Sequence, residues 1–193
     1  DECELCGLGL YNPGEKKTTA ADCLVCGAGT YQANKGESTC TSCGKGTFLS
    51  DDGTGGIELH NNKEDCQLCG AGTFFASTGA SMCTNCPTGT YLGDDENDVV
   101  GRHDEESDCR ICGAGKYSES TGAISEATCL ECPRGTWNDD GVEAEGINQG
   151  TLASKHSSAT DDCQECEGGK YNDVSGASTE SQCKDCPKGT YNP

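Results

Sequence analysis

Large apolar side chains are scarce in this chain. Leucine, isoleucine, valine and phenylalanine together supply 22 of its 193 residues, beside one methionine and one tryptophan. One shared hydrophobic core is therefore excluded, because so little buried apolar area cannot offset the entropy of ordering the backbone. No apolar run approaches the roughly 18 residues of a membrane helix, so no span is expected in this stretch. Cations are few: 13 Lys and Arg stand against 33 Asp and Glu, a formal charge of -20. That balance excludes nucleic acid and anionic membrane as partners, since both demand basic patches. None of the ten asparagines begins an N-x-[ST] sequon, so no N-linked sugar is expected, while 34 Ser and Thr leave room for O-linked glycans. A serine-nucleophile motif, a phosphate-binding glycine loop and a carboxylate pair in a cleft are all missing, which argues against an enzyme.

Cysteine is what the chain has instead. Its 18 residues, about 9% of the total, mark a disulfide scaffold in an oxidising compartment, so the protein reads as secreted or cell-surface. All eighteen belong to nine copies of one phrase, C-x-x-C-x-x-G-x-aromatic. The aromatic position holds Tyr11, Tyr31, Phe48, Phe74, Tyr91, Tyr117, Trp137, Tyr171 and Tyr191, which leaves only Phe75 outside the phrase. Each ring is expected to pack on a neighbouring disulfide or glycine backbone, worth about 1–3 kcal/mol.

The spacing between phrases defines repeats. From each second cysteine to the next first cysteine the gaps are 16, 13, 22, 13, 22, 16, 30 and 16 residues. Compact segments follow Asp22, Asp65, Asp108 and Asp162 and carry a second fixed glycine: Gly36, Gly79, Gly122 and Gly176. Longer, acidic, variable segments separate them. The resulting division is a tail of a preceding repeat at 1–21, repeats at 22–64, 65–107 and 108–161, the last with a long insertion, and an incomplete repeat at 162–193. The matching ends, residues 2–13 and 182–193, suggest a pattern that continues past both. With no helical apolar period and 28 glycines, the expected fold is small, disulfide-rich and irregular, with short β-strands and hairpins in an elongated tandem-repeat rod. Strands are expected around Phe48 and Tyr91, each followed by an acidic turn and a second weakly apolar stretch, Ile57–His60 or Val99–Val100, as an irregular hairpin.

The compact segment, for instance Cys23-Leu-Val-Cys-Gly-Ala-Gly-Thr-Tyr through Cys40-Thr-Ser-Cys43, resembles the ephrin-receptor-like cysteine-rich repeat, a family akin in style to epidermal-growth-factor-like and tumour-necrosis-factor-receptor modules. Segments 23–48, 66–91, 109–137 and 163–191 carry the likeness. The resemblance implies an extracellular, non-catalytic spacer or interaction module. By analogy to related modules it also favours pairing first-to-first and second-to-second: Cys23–Cys40, Cys26–Cys43, Cys66–Cys83, Cys69–Cys86, Cys109–Cys129, Cys112–Cys132, Cys163–Cys183 and Cys166–Cys186. Cys3 and Cys6 would then be unpartnered or bonded between subunits. A ladder from each second cysteine to the next first cysteine remains the alternative, leaving Cys3 and Cys186 free.

Paired C-x-x-C knuckles suit a tetrahedral zinc in an intracellular protein, but a zinc knuckle does not require the recurring aromatic. A redox C-x-x-C lacks its strand–helix setting. Acidic clusters containing Asp51, Asp52, Asp94, Asp95, Asp98, Asp139 and Asp140 recur beside turns and are candidate calcium ligands, though none completes a calcium-loop motif. Solvated acidic turns account for them as well. His60, His103 and His156 fall six, six and seven residues before the next pair. A solvated loop histidine copied by duplication explains that spacing, with a lateral contact or a pH-sensitive interface as the alternative. The leading functional expectation is a self-associating subunit of an extracellular fibre, cell coat or matrix, with a receptor or adhesin ectodomain as the alternative.

Overall fold

The structure is a computed structural model that describes residues 3–93, 103–139 and 156–193. Contacts divide the chain into two compact units, Asp1–Thr84 with Asp98–Asp108, and Asn85–Asn97 with Cys109–Pro193. In both, the regular structure consists of two-residue antiparallel pairs. The first unit pairs Leu10–Tyr11 with Leu24–Val25, Thr30–Tyr31 with Thr41–Ser42, and Thr47–Phe48 with Gln67–Leu68. The second pairs Thr90–Tyr91 with Arg110–Ile111, Lys116–Tyr117 with Leu130–Glu131, Thr136–Trp137 with Gln164–Glu165, and Lys170–Tyr171 with Lys184–Asp185. In every case the aromatic end of one phrase lies against the dipeptide between the two cysteines of the next.

The phrase dictates this arrangement. Its four residues from Gly27 to Thr30 form a β-turn in which the Thr30 amide donates to the Gly27 carbonyl at 3.1 Å. The Thr30 hydroxyl donates to the same carbonyl at 2.7 Å, as Thr47, Thr73, Thr90, Thr136 and Thr190 do in theirs. Gly29, third in the turn, has φ +74°, which a side chain would strain. It is also crowded, since a Cβ there would collide with the Gly79 carbonyl, and Gly115 meets Gly176 in the same way.

Among the described residues helix is confined to single turns. The variable segment after Phe48 does not fold back as the expected hairpin: Ile57–Leu59 is a 3-10 turn, and the strand at Phe48 pairs with Gln67–Leu68. Three consecutive residues containing two exposed apolar side chains offer a sheet little to bury, whereas the disulfide-anchored dipeptide is already held alongside. Val99 and Val100 lie outside the described residues. The interior consists mainly of sulfur and small groups: Cys26, Cys43, Cys69, Cys86, Cys112 and Cys132 are all buried, as are Ala80, Ala123 and Ala177.

Candidate functional site

Eight disulfides form a ladder, and they are not the favoured pairs. Cys6–Cys23, Cys26–Cys40, Cys43–Cys66 and Cys69–Cys83 lie in the first unit. Cys86–Cys109, Cys112–Cys129, Cys132–Cys163 and Cys166–Cys183 lie in the second. This replaces Cys23–Cys40, Cys26–Cys43, Cys66–Cys83, Cys69–Cys86, Cys109–Cys129, Cys112–Cys132, Cys163–Cys183 and Cys166–Cys186. The reason is the turn. It folds the second cysteine of a phrase back beside its own aromatic strand, and that strand pairs with residues directly following the next first cysteine. Cys26 thus reaches Cys40, with Cα atoms 5.9 Å apart, while Cys23 sits on the preceding hairpin with Cys6. Each bond closes a loop of 14 to 31 residues, worth about 3 kcal/mol in the chain-entropy account. Cys6 is therefore bonded, and the free cysteines are Cys3, which is exposed, and Cys186, which is half-buried.

Hydrogen bonds at the phrase glycine run parallel to this ladder. The Gly29 amide donates to the Leu49 carbonyl at 2.8 Å, and its own carbonyl accepts from the Cys43 amide at 2.8 Å. Gly9, Gly46, Gly89, Gly115, Gly135 and Gly169 donate in the same way to the residue after the next phrase's aromatic. That following residue is what the fold buries: Gln32, Leu49, Leu92, Ser118, Asn138 and Asn172. The aromatic rings themselves stay half-buried at Tyr11, Tyr31, Phe48, Tyr91, Tyr117, Trp137 and Tyr171, with Phe74 buried and Tyr191 87% exposed. A polar residue at a buried position gave the sequence no hydrophobic signal, and only its hydrogen bonds explain it. Gln32 Nε2, for example, donates to the Thr39 carbonyl at 2.7 Å.

The aspartate before each opening cysteine caps the chain's approach to it. Asp22 Oδ2 accepts from the amides of Thr18 and Thr19, Asp108 Oδ2 from Asp104 and Glu105, and Asp162 Oδ2 from Ser157 and Ser158. Asp65 does the same for Asn62. The Thr19 amide is the main reason that the Asp22 carboxyl lies below its ordinary range.

The three histidines are buried, contrary to the solvated-loop account. His60 and His156 are fully enclosed and His103 nearly so. Each points Nδ1 at the carbonyl just before an opening aromatic: Thr30 at 2.8 Å, Thr73 at 2.7 Å and Lys116 at 2.8 Å. The histidine carbonyls accept in return from the Gln32, Phe75 and Ser118 amides. The ring thus pins the variable segment to the phrase that opened its repeat. His60 Nε2 also contacts Asp51 Oδ1 at 2.9 Å. The ring thus bridges the Thr30 carbonyl and the Asp51 carboxylate.

Asp51 is consequently occupied. Its carboxylate accepts from the His60 ring first, then from the Gly53 and Gly55 amides, and these contacts hold its carboxyl below the usual range. Asp52 Oδ1 accepts from the Thr54 amide at 3.0 Å. These contacts place both candidate calcium ligands in hydrogen-bonded turns. Asp139 is exposed, and Asp94, Asp95, Asp98 and Asp140 lie outside the described residues. An open cleft of 530 Å³ lies at the last phrase, lined by residues including Arg134, Tyr171, Cys186, Tyr191 and Asn192. Among the described residues no helix is long and apolar enough to cross a membrane.

Residues 16–58 and 56–96 each match the family model described as tyrosine-protein kinase ephrin type A/B receptor-like. No curated protein matches the chain.

Proposed function

We propose, from the premise that this chain carries tandem ephrin-receptor-like cysteine-rich repeats, that it is a non-catalytic extracellular module. It serves as the disulfide-braced spacer or ligand-contacting ectodomain of a cell-surface receptor or adhesin. The observation behind this reading is the separation of frame from insertion. Ladder disulfides, phrase glycines and buried histidines recur from repeat to repeat, while length varies little within the compact segments (13 or 16 residues between pairs) and more in the acidic segments between them (22, 22 and 30). A frame that tolerates insertion at one repeated place is how scaffolds present variable contact surfaces. A second reading, a subunit of an extracellular fibre, draws on the free thiols of Cys3 and Cys186 in the first and last phrases. Electron microscopy of native material separates the two. Discrete particles at all concentrations are expected, and ordered filaments would transfer the case to the fibre.

A further inference from the structure

We infer that Cys69–Cys83 is a thiol-exchange site, where an external dithiol reductant enters the frame by attacking the Cys83 sulfur. Exchange needs a thiolate to reach one sulfur of the bond, so access sets its rate. The second cysteines offer none, because Cys26, Cys43, Cys69, Cys86, Cys112 and Cys132 are all enclosed. Access therefore depends on how each first cysteine is approached. A helical turn ends directly before Cys23, Cys66, Cys109, Cys129, Cys163 and Cys183. At Cys129 that turn is also strapped down. The Cys129 amide donates to the Glu126 carbonyl at 3.0 Å, and Lys116 Nζ reaches Glu126 at 2.7 Å from the strand at Tyr117. Cys129 is buried.

Cys40 and Cys83 lack the turn, because their compact segments have 13 residues between pairs in place of 16. Cys40 has a substitute. Gln32 Nε2 donates to the Thr39 carbonyl at 2.7 Å and holds the residue before the rung. In the next repeat Phe75 stands at Gln32's position and has no amide to give. Ser81 and Met82, which lead into Cys83, make no side-chain hydrogen bond among the described residues, and Met82 is 72% exposed. Cys83 is half-buried between exposed neighbours. Loop size does not separate the two rungs, since each has a sequence separation of 14. In the exchange, a reductant thiolate bonds to Cys83 Sγ, the Cys69–Cys83 bond breaks, and Cys69 leaves as a thiolate that takes up a proton. The reductant's second thiol then displaces Cys83, so the reductant gives up two electrons and two protons and ends as its own disulfide. The opened loop keeps its seat. The Gly79 amide donates to the Cys43 carbonyl and the Leu49 amide to the Ala80 carbonyl, both at 2.9 Å.

Graded reduction of the full chain tests this, with Cys3 and Cys186 blocked beforehand by N-ethylmaleimide. Dithiothreitol acts for increasing times, new thiols are trapped with iodoacetamide, and labelled cysteines are mapped by mass spectrometry. Cys69 and Cys83 should be labelled together and first, about tenfold faster than Cys26 with Cys40 or Cys112 with Cys129. Brief exposure to reduced glutathione should leave it attached to Cys83 and not to Cys69. Gln32→Ala should raise labelling of Cys26 and Cys40 toward that of the first pair. Replacing Ser81 and Met82 with the five residues that precede Cys129 should slow labelling of Cys83 to that of Cys129. Simultaneous labelling of all rungs, earlier labelling at any other rung, glutathione carried by Cys69, or an unchanged rate in the five-residue replacement would each overturn the assignment.

Discussion

His60 in the first unit and His156 in the second occupy equivalent places with different outer partners. Both rings are fully enclosed and both donate to a backbone carbonyl at 2.8 Å. His60 then turns its second nitrogen to Asp51, whereas His156 Nε2 finds no partner among the described residues and Asn138 lies 3.3 Å from its Nδ1. The inner contact is therefore the constant one. It joins the variable segment to the repeat's own first turn.

Replacing His60 by alanine should break the comparison most severely. It removes a buried ring and strands both the Thr30 carbonyl and Asp51, a loss of about 3–4 kcal/mol. His156→Ala leaves the Lys116 carbonyl with only the longer bond from Asn138 Nδ2 at 3.5 Å and should cost about 2–3 kcal/mol. Hydrogen exchange reads the difference locally, since the Gln32 amide bonds to the His60 carbonyl and the Ser118 amide to that of His156. Equal acceleration at the two amides would erase the distinction. Asp51→Asn should raise exchange at Gly53 a few-fold and leave Ser118 untouched. Its pH dependence follows from the direction of the shift. A carboxyl lowered in the folded state stabilises fully above its unfolded value, about 3.9, and that contribution disappears as pH falls through the folded value. The acid loss of protection at Gly53 should accordingly flatten in the Asp51→Asn chain. Smallest is Asp22→Asn: it should weaken the cap on the Thr18 and Thr19 amides, giving slightly faster exchange there and no change at Asp51.

The phrase glycines, the scarcity of helix and the two-residue strands around the aromatics were legible because each follows from local chemistry. Gly29 must adopt positive φ in a four-residue turn, and Thr30 closes that turn twice. The disulfide partners were not legible, since eighteen equivalent thiols carry no address. What selects Cys40 for Cys26 is the turn together with the pairing of Tyr31 against Thr41. Asp22 and its counterparts stood out as markers of each compact segment, but their capping role needs the backbone amides they face. The histidines looked like surface residues because polarity and loop context hid a burial that only a distant carbonyl makes tolerable. Gln32 and Asn172 were missed for the same reason.

Second-to-first pairing has a mechanical consequence. Its loops follow one another and never interlock, so a pull on the two ends travels from Cys3 to Cys6, across a sulfur bridge to Cys23, through two residues to Cys26, and so on to Cys186. Everything inside a loop is bypassed. With Cα–Cα spans of 5.6–5.9 Å at each bridge and extended C-x-x-C links, the taut oxidised path is roughly 140 Å, against roughly 650 Å once the bridges are reduced. Insertions of any length between the rungs bear no load, and a reductant would lengthen the tether more than fourfold.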